Sequence, residues 1–302
     1  MKRIFIDGSA GTTGLRICER LAARPDLEVV VLPDEVRKDI SARAAALNDC
    51  DVAFLCLPDA AAIEAVSLVE NPSVTIIDTS TAHRVADGWE YGFPELAGRR
   101  ERIASAKRIA NPGCHASGFI ALVEPLVRNG VLSPAAELCA FSLTGYSGGG
   151  KKMIADYETA ATALHQGGRQ YALGQTHKHL PEMARICSLV KPPVFSPIVV
   201  PHLSGMEVTV QLHGVSIEAV KACYRDYYHD GLVRFVGDAS EGGFLSSAAL
   251  SGRDDMEVGV YGNDERLILV SRFDNLGKGA SGSAIQNMNI VLGVPEKTGL
   301  VA

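Results

Sequence analysis

The run Asn111-Pro112-Gly113-Cys114 sets a thiol between a turn that cannot continue as helix and an apolar stretch, Ala116 to Leu122, that can. A cysteine on the first turn of a helix meets unsatisfied N–H groups and the positive end of the helix dipole, and both favour thiolate. Read alone, the position is evenly balanced between a nucleophile and a buried cysteine acting as a small hydrophobe. A nucleophile needs a proton-handling partner, and Gln175-Thr176-His177-Lys178-His179 offers two imidazoles. Side chains at i and i+2 share a face in an extended segment. The pair therefore suits general acid and base work beside a thiol, or two ligands of a metal. No acidic or cysteine third ligand stands at a recognisable spacing, so the expectation is no metal, and a plain polar loop is the remaining alternative.

Other segments carry anion-binding chemistry. Gly8-Ser9-Ala10-Gly11-Thr12-Thr13-Gly14 is a G-x-x-G-x-x-G turn. Its glycines let the backbone approach a pyrophosphate, and a helix starting near Thr13 presents N–H groups to it. Asp78-Thr79-Ser80-Thr81-Ala82-His83-Arg84 follows an apolar run, and Arg84 can clamp an anionic substrate. Gly145-Tyr146-Ser147-Gly148-Gly149-Gly150-Lys151 is a second glycine-rich turn, able to cradle phosphate or carboxylate on its N–H groups, or merely to close a hairpin. In the stretch 32–39, Asp34 and Glu35 suit the ribose of NAD, whereas Arg37 and Lys38 suit the 2′-phosphate of NADP. Spacing leaves both open, along with a solvated charged loop.

The hydrophobic pattern says which elements hold these groups. Ile4 to Ile6, then Leu15, Cys18 and Leu21 at helical spacing, then Leu27 to Leu32, apolar but for Glu28, predict a βαβ unit with buried parallel strands. Residues 51–58 and 73–80 predict two more strands with an Ala-rich helix, 60–69, between them, and the alternation runs on through 108–114. The expected fold class is α/β, with a doubly wound Rossmann domain over residues 1–113 and ligands at the carboxyl ends of its strands. Beyond it, runs at 137–150, 195–205, 206–214 and 265–275 predict longer strands, with helices near 151–165 and 216–229. They imply an α+β catalytic and dimerisation domain over 114–276, built on a mixed or antiparallel sheet. Residues 277–302, helical to about 293 after a glycine-rich start, are expected to complete the first domain.

Bulk properties point to a small-molecule partner. A chain of 302 residues suits two domains. A net charge of −6 argues against nucleic acid or an anionic membrane, which reward clustered Lys and Arg. The opening MKRIFIDGSAGTTG lacks the apolar core of a signal peptide and no run has membrane-spanning length, so a cytoplasmic protein is expected. Seven cysteines without a C-x-x-C pair imply neither a disulfide framework nor a Cys-rich zinc site.

Together the motifs resemble the N-acetyl-gamma-glutamyl-phosphate reductase family, in the shorter of its two forms, within the semialdehyde dehydrogenase superfamily. The likeness spans almost the whole chain: the first glycine turn, DTSTAHR, YGFPE at 91–95, NPGCHASG, GYSGGGKK, HKHLPE, VPHLSGM and the closing NLGKGASGSAIQNMN. NPGC followed by an H-x-H-x-P-E run is far more specific than any one element, and turns the even reading of Cys114 into that of a nucleophile. The resemblance implies NADPH-dependent reduction of N-acetyl-gamma-glutamyl phosphate to N-acetylglutamate 5-semialdehyde in arginine biosynthesis, through a thioester on Cys114 with release of phosphate. It implies His177 as general acid and base. His179, the second choice for that role, joins Arg84, Ser147 and Gly148 on the substrate. Around NADP it implies Gly8, Ser9, Gly11, Thr12, Thr13, Gly14, Arg37, Ser80, Tyr171 and Lys278, with Tyr171 near the nicotinamide. Similar enzymes are dimers or tetramers, so a homotetramer or homodimer is expected. Aspartate-semialdehyde dehydrogenase and a reductase for the one-methylene-longer aminoadipyl phosphate share the turn and the thiol, and an NADP-binding regulator without turnover is the alternative of another class. The family more often has a tyrosine after the cysteine, in NPGCYPT; His115-Ala116-Ser117 stand there instead.

Overall fold

The structure, a computed structural model, describes all residues from Met1 to Ala302. The N-terminal apolar runs form parallel strands, since both of their faces are covered. In chain order they are β1 (Lys2–Asp7), α1 (Thr12–Ala22), β2 (Leu27–Val30), α2 (Ile40–Asn48), β3 (Val52–Leu55), α3 (Asp59–Ser67), β4 (Thr75–Asp78), β5 (Glu90–Tyr91), α4 (Arg99–Ser105) and β6 (Arg108–Ala110). The sheet runs β2-β1-β3-β4-β6-β5 with every pair parallel. On one face Ile4, Ile6, Val52, Phe54 and Ile77 pack with Ile17 and Leu21 of α1, and with Ile285 and Met288 of a helix returning from far along the chain, Gly282–Leu292. On the other face Phe5, Ala53, Leu55 and Ile76 pack with Leu47 of α2 and with Ala62 and Ala65 of α3. This is a doubly wound sheet, and β1 and β3, on either side of the point where strand order reverses, mark its ligand crevice. Residues 1–112 and 280–300 make up this unit.

α2 was not anticipated by the sequence pattern. It is Ala-rich and weakly amphipathic, and its start is fixed by a cap: Asp39 accepts the Ala42 N–H at 2.8 Å.

Residues 113–279 with 301–302 form the second unit. It contains α5 (Cys114–Arg128), β7 (Cys139–Gly145), α6 (Gly150–Glu158), β8 (Arg169–Gln170), α7 (Leu180–Ile186), β9 (Val194–Val200), β10 (Met206–His213), α8 (Ile217–Tyr227), β11 (Val233–Phe235), β12 (Met256–Gly262) and β13 (Arg266–Phe273); the returning helix is α9. The sheet runs β11-β12-β13-β10-β7-β9-β8. Two pairs, β11 with β12 and β7 with β9, are parallel and the others antiparallel, so the sheet is mixed. α5 lies against β10 and β13, with α7 and α8 beside it. The helix expected over 151–165 stops at Glu158, and a separate 3₁₀ turn covers Ala163–Gln166. Residues Gly277–Ser281 form a π-helical turn rather than a first turn of α9. β12, broken in pattern by Gly259 and Gly262, is a strand the periodicity did not signal. No helix is long and apolar enough to cross a membrane.

Close approach of α5 to the sheet depends on Gly118. A Cβ there would lie 2.5 Å from Val208 Cγ2 on β10 and 2.7 Å from Ser271 Oγ on β13. Gly118→Ala is expected to lower stability by about 1–3 kcal/mol through overpacking, read as a lower urea-unfolding midpoint; an unchanged midpoint would refute this account.

Candidate active site

In the first unit the glycine turn is built by steric necessity. Gly8 has a φ of +86°, and a Cβ on it would fall 2.3 Å from the Cys56 carbonyl oxygen just beyond β3. A Cβ on Gly14 would lie 2.5 Å from the Gly8 carbonyl oxygen, so the first turn of α1 rests directly on the loop. Gly11 is the N-cap and no side chain caps the helix, which leaves the N–H groups of Thr12, Thr13 and Gly14 to an anion. Beside them lies a cavity of about 230 Å³, with Gly8, Ser9, Leu32, Arg37, Lys38 and Arg43 in its wall. Arg37 pairs with Asp34 at 3.0 Å. Arg43 is buried, 3.0 Å from Asp7 and 2.7 Å from Glu64. Burial pushes the Asp7 carboxyl up, against the downward pull of Arg43. Glycines, open helix N–H groups and three cations fit a phosphate-bearing nucleotide.

The DTSTAHR loop in the same unit is largely bonded to itself. Asp78 is fully buried; its Oδ1 accepts the Ser80 N–H at 2.9 Å and its Oδ2 the Ser80 hydroxyl at 2.7 Å, and His83 Nδ1 lies 2.6 Å from that same Oδ2. His83 stacks on Trp89 at 4.0 Å between centroids. Arg84 donates from Nε to the Asn111 carbonyl and from Nη2 to the Thr79 carbonyl, each at 3.0 Å. Ser80 and Arg84 thus shape the loop before they meet any ligand.

In the second unit Cys114 is the first residue of α5, with Gly113 as N-cap. Its side chain is half-buried, and a Cβ on Gly279 would lie 3.0 Å from its own Cβ. The Gly113 N–H donates to Glu182 at 3.1 Å, and the other Glu182 oxygen lies 3.9 Å from His179 Nε2. His177 Nδ1 accepts the His179 N–H at 3.1 Å, so the neutral ring carries its hydrogen on Nε2. The His177 ring stands 4.6 Å from His179, 5.4 Å from His115 and 5.7 Å from Tyr171. His115 is in contact at both nitrogens, with Ser142 Oγ at 2.6 Å and the Tyr171 hydroxyl at 2.7 Å. Burial, then the charges of His177 and Lys178, depress the His115 imidazole to about 3, so it is neutral. Burial, then Cys114, push the Tyr171 phenol up.

The structure therefore gathers His177, His179 and Tyr171 around His115, in the unit that also carries Cys114. Ser147, in the same unit, is fully buried and accepts from Asn275 Nδ2 at 3.0 Å. The N–H groups of Gly145, Tyr146 and Ser147 donate to the carbonyls of Gly205, His202 and Leu203. An anion cradle in this turn would have to use N–H groups beyond Ser147, starting at Gly148. Lys278 is fully buried in the π-helical turn. No group of three or more His, Cys, Asp or Glu side chains is arranged to hold a metal ion. Glu182 and Ser142 had no assigned role in the sequence. Glu182 follows His179 at i+3, a helical spacing that pairs them, whereas Ser142 is found only through the alternation of β7.

Residues 33–106 match the family described as semialdehyde dehydrogenase, NAD binding domain, and residues 114–275 the semialdehyde dehydrogenase, dimerisation domain. The chain is 45% identical to the N-acetyl-gamma-glutamyl-phosphate reductase of Trichormus variabilis over 99% of each chain. It is 42% identical to that of Burkholderia ambifaria over 96% of each. Among solved structures, aspartate semialdehyde dehydrogenase II of Vibrio cholerae, complexed with ASA, superposes with a TM-score of 0.72 at 16% identity, covering 97% of this chain and 98% of that one. The Candida albicans aspartate semialdehyde dehydrogenase with NADP gives 0.69 at 15% identity, covering 96% and 99%. Those two likenesses concern the fold.

The bond from Gly113 to Glu182 fixes the turn that carries the thiol. Glu182→Ala should cost about 1–3 kcal/mol by stranding the buried N–H, and Glu182→Gln, which keeps an acceptor, should recover most of it. Urea unfolding of the two variants decides the point; equal losses would show that the charge, not the acceptor, is what matters.

Proposed function

The chain belongs to the N-acetyl-gamma-glutamyl-phosphate reductase family of semialdehyde dehydrogenases, and we propose that it reduces N-acetyl-gamma-glutamyl phosphate to N-acetylglutamate 5-semialdehyde with NADPH, in arginine biosynthesis. The observation that carries this reading is Cys114 on the first turn of α5, in a unit whose imidazole and phenol cluster provides proton handling. The positive end of the helix dipole at this first turn favours thiolate at the sulfur. Cys114 Sγ attacks the acyl carbon; a C–S bond forms, the C–O bond to phosphate breaks, and phosphate leaves. When bound, NADPH supplies the hydride that reduces this thioester. The C–S bond then breaks, the aldehyde departs and Cys114 is again a thiolate. The one proton consumed overall stays with the phosphate. With Nδ1 held by the His179 N–H, His177 offers its Nε2–H to sulfur or oxygen, and must give up that backbone bond to take on a second proton.

NADP is favoured over NAD by the cations Arg37, Lys38 and Arg43 in the cavity beside the glycine turn, which suit a 2′-phosphate. The match to a dimerisation domain is consistent with an oligomer. We assign the contact to the sheet face opposite α5, where Phe141 and Val194 are exposed beside Leu143 and Ile198.

With N-acetylglutamate semialdehyde, phosphate and NADP⁺, the reverse reaction should proceed. Cys114→Ser should lose at least about 10³-fold of it, by analogy with removal of other catalytic nucleophiles. Cys50→Ser should be fully active, since burial pushes the Cys50 thiol up to about 12. Full activity in the Cys114→Ser protein would sink the mechanism. Arg37→Ala should raise KM for NADP⁺ about tenfold and leave that for NAD⁺ unchanged, as loss of one charge-assisted hydrogen bond would. In size-exclusion chromatography Phe141→Asp should elute as a smaller species than the wild type; an unchanged elution volume would place the subunit contact elsewhere.

A further inference from the structure

His115 has no part in the steps above, yet it is fully buried beside the groups that do, with both ring nitrogens engaged. We infer that His115 is a positioning residue, neutral and protonated on Nε2, which makes the Tyr171 hydroxyl a hydrogen-bond donor to the acyl oxygen of a group held on Cys114. This rests on the reading of Cys114 as the acyl-carrying nucleophile.

Bond polarity follows from counting hydrogens. Ser142 is fully buried on β7 and its hydroxyl makes one hydrogen bond, to His115 Nδ1 at 2.6 Å. Were Ser142 the acceptor, its own hydrogen would be buried with nothing to receive it, so Ser142 donates and Nδ1 accepts. The ring hydrogen then sits on Nε2 and points at Tyr171 Oη, 2.7 Å away. An imidazolium would donate at both nitrogens, but burial and the nearby His177 and Lys178 exclude that form. Phe195, His177 and His179 wall the ring at centroid distances of 5.4, 5.4 and 5.6 Å, and none takes a bond from it.

The chain of bonds therefore runs one way, from Ser142 through His115 to Tyr171. The Tyr171 oxygen is occupied as an acceptor and its hydrogen has no acceptor within the protein. Burial, then the charge of Cys114, push the phenol up and keep it protonated. A phenol that accepts a hydrogen bond becomes a stronger donor. Tyr171 is bonded to His115, the residue that follows Cys114 on the first turn of α5, and this places the phenol beside the segment that carries the acyl group, where a fixed donor stabilises the charge that develops on reduction.

Two substitutions separate this role from packing. His115→Asn keeps a partner for Ser142 but cannot reach Tyr171, whereas His115→Gln places an amide N–H near the position of Nε2. In the reverse reaction His115→Asn should lower kcat about 30-fold and Tyr171→Phe about 100-fold, the range for loss of one oxyanion donor or its support. KM for NADP⁺ should stay within about twofold in both, and His115→Gln should recover to within about fivefold of wild type. Combining His115→Asn with Tyr171→Phe should add little to Tyr171→Phe alone, because the two act through one hydroxyl. Equal losses in the Asn and Gln variants, an additive double variant, or a Tyr171→Phe defect confined to KM for NADP⁺ would overturn the inference. A wild-type protein inactive in this assay would refute the proposed function instead. The tautomer is then decided by ¹⁵N NMR of histidine-labelled protein, with His115 assigned by the signal lost in His115→Gln. A neutral ring protonated on Nε2 upholds the assignment, and an Nδ1–H ring or an imidazolium overturns it.

Discussion

One constraint organises the second unit: the first turn of α5 must carry a half-buried thiol while the body of the helix is clamped to the sheet. A helix start is electrostatically useful only if nothing in the protein neutralises it. The N-cap Gly113 has no side chain to cap α5, and Glu182 binds the N–H of Gly113, one residue before the helix. Gly118 brings the helix against β10 and β13, and Gly279 lets the chain pass directly against Cys114. Glycine at both places keeps the thiol both fixed and half-open.

Burial selects among the remaining thiols. Desolvation pushes Cys50 and Cys56 up to about 12 and Cys187 well up, so in the folded protein these stay protonated and inert. Cys114 differs from them in where its sulfur sits, not in residue type. The first unit uses charge in a similar way. Asp7 and Glu64 hold Arg43 in a buried position at a cavity that also contains Arg37 and Lys38, so a cation is pre-placed rather than recruited from solvent.

Much of this was readable in the residues because the decisive signals are local. Pro112 and Gly113 punctuate the chain just before an apolar run, and that alone places Cys114 at a helix start. The parallel sheet follows from apolar runs alternating with helical spacing, as in β1, α1 and β3. What escaped depends on partners distant in sequence or on weak patterns. Ser142 and His115 meet because β7 is the strand next to β10, on which α5 lies, and no spacing rule connects residues 27 apart in that way. Ser147 turns inward because carbonyls near 202–205 claim the N–H groups of its turn. α2 is too Ala-rich to show an apolar stripe, and β12 carries two glycines that dilute its alternation.

The return of α9 to the first sheet has a consequence for the order of assembly. Ile285 and Met288 belong to the same buried cluster as Ile4, Val52 and Phe54. A ribosome delivers those strands first and then makes residues 113–279, a unit with its own sheet, before the helix that covers them emerges. During synthesis the nucleotide-binding sheet therefore waits with one face incomplete, and the unit made second can finish its core before the unit begun first.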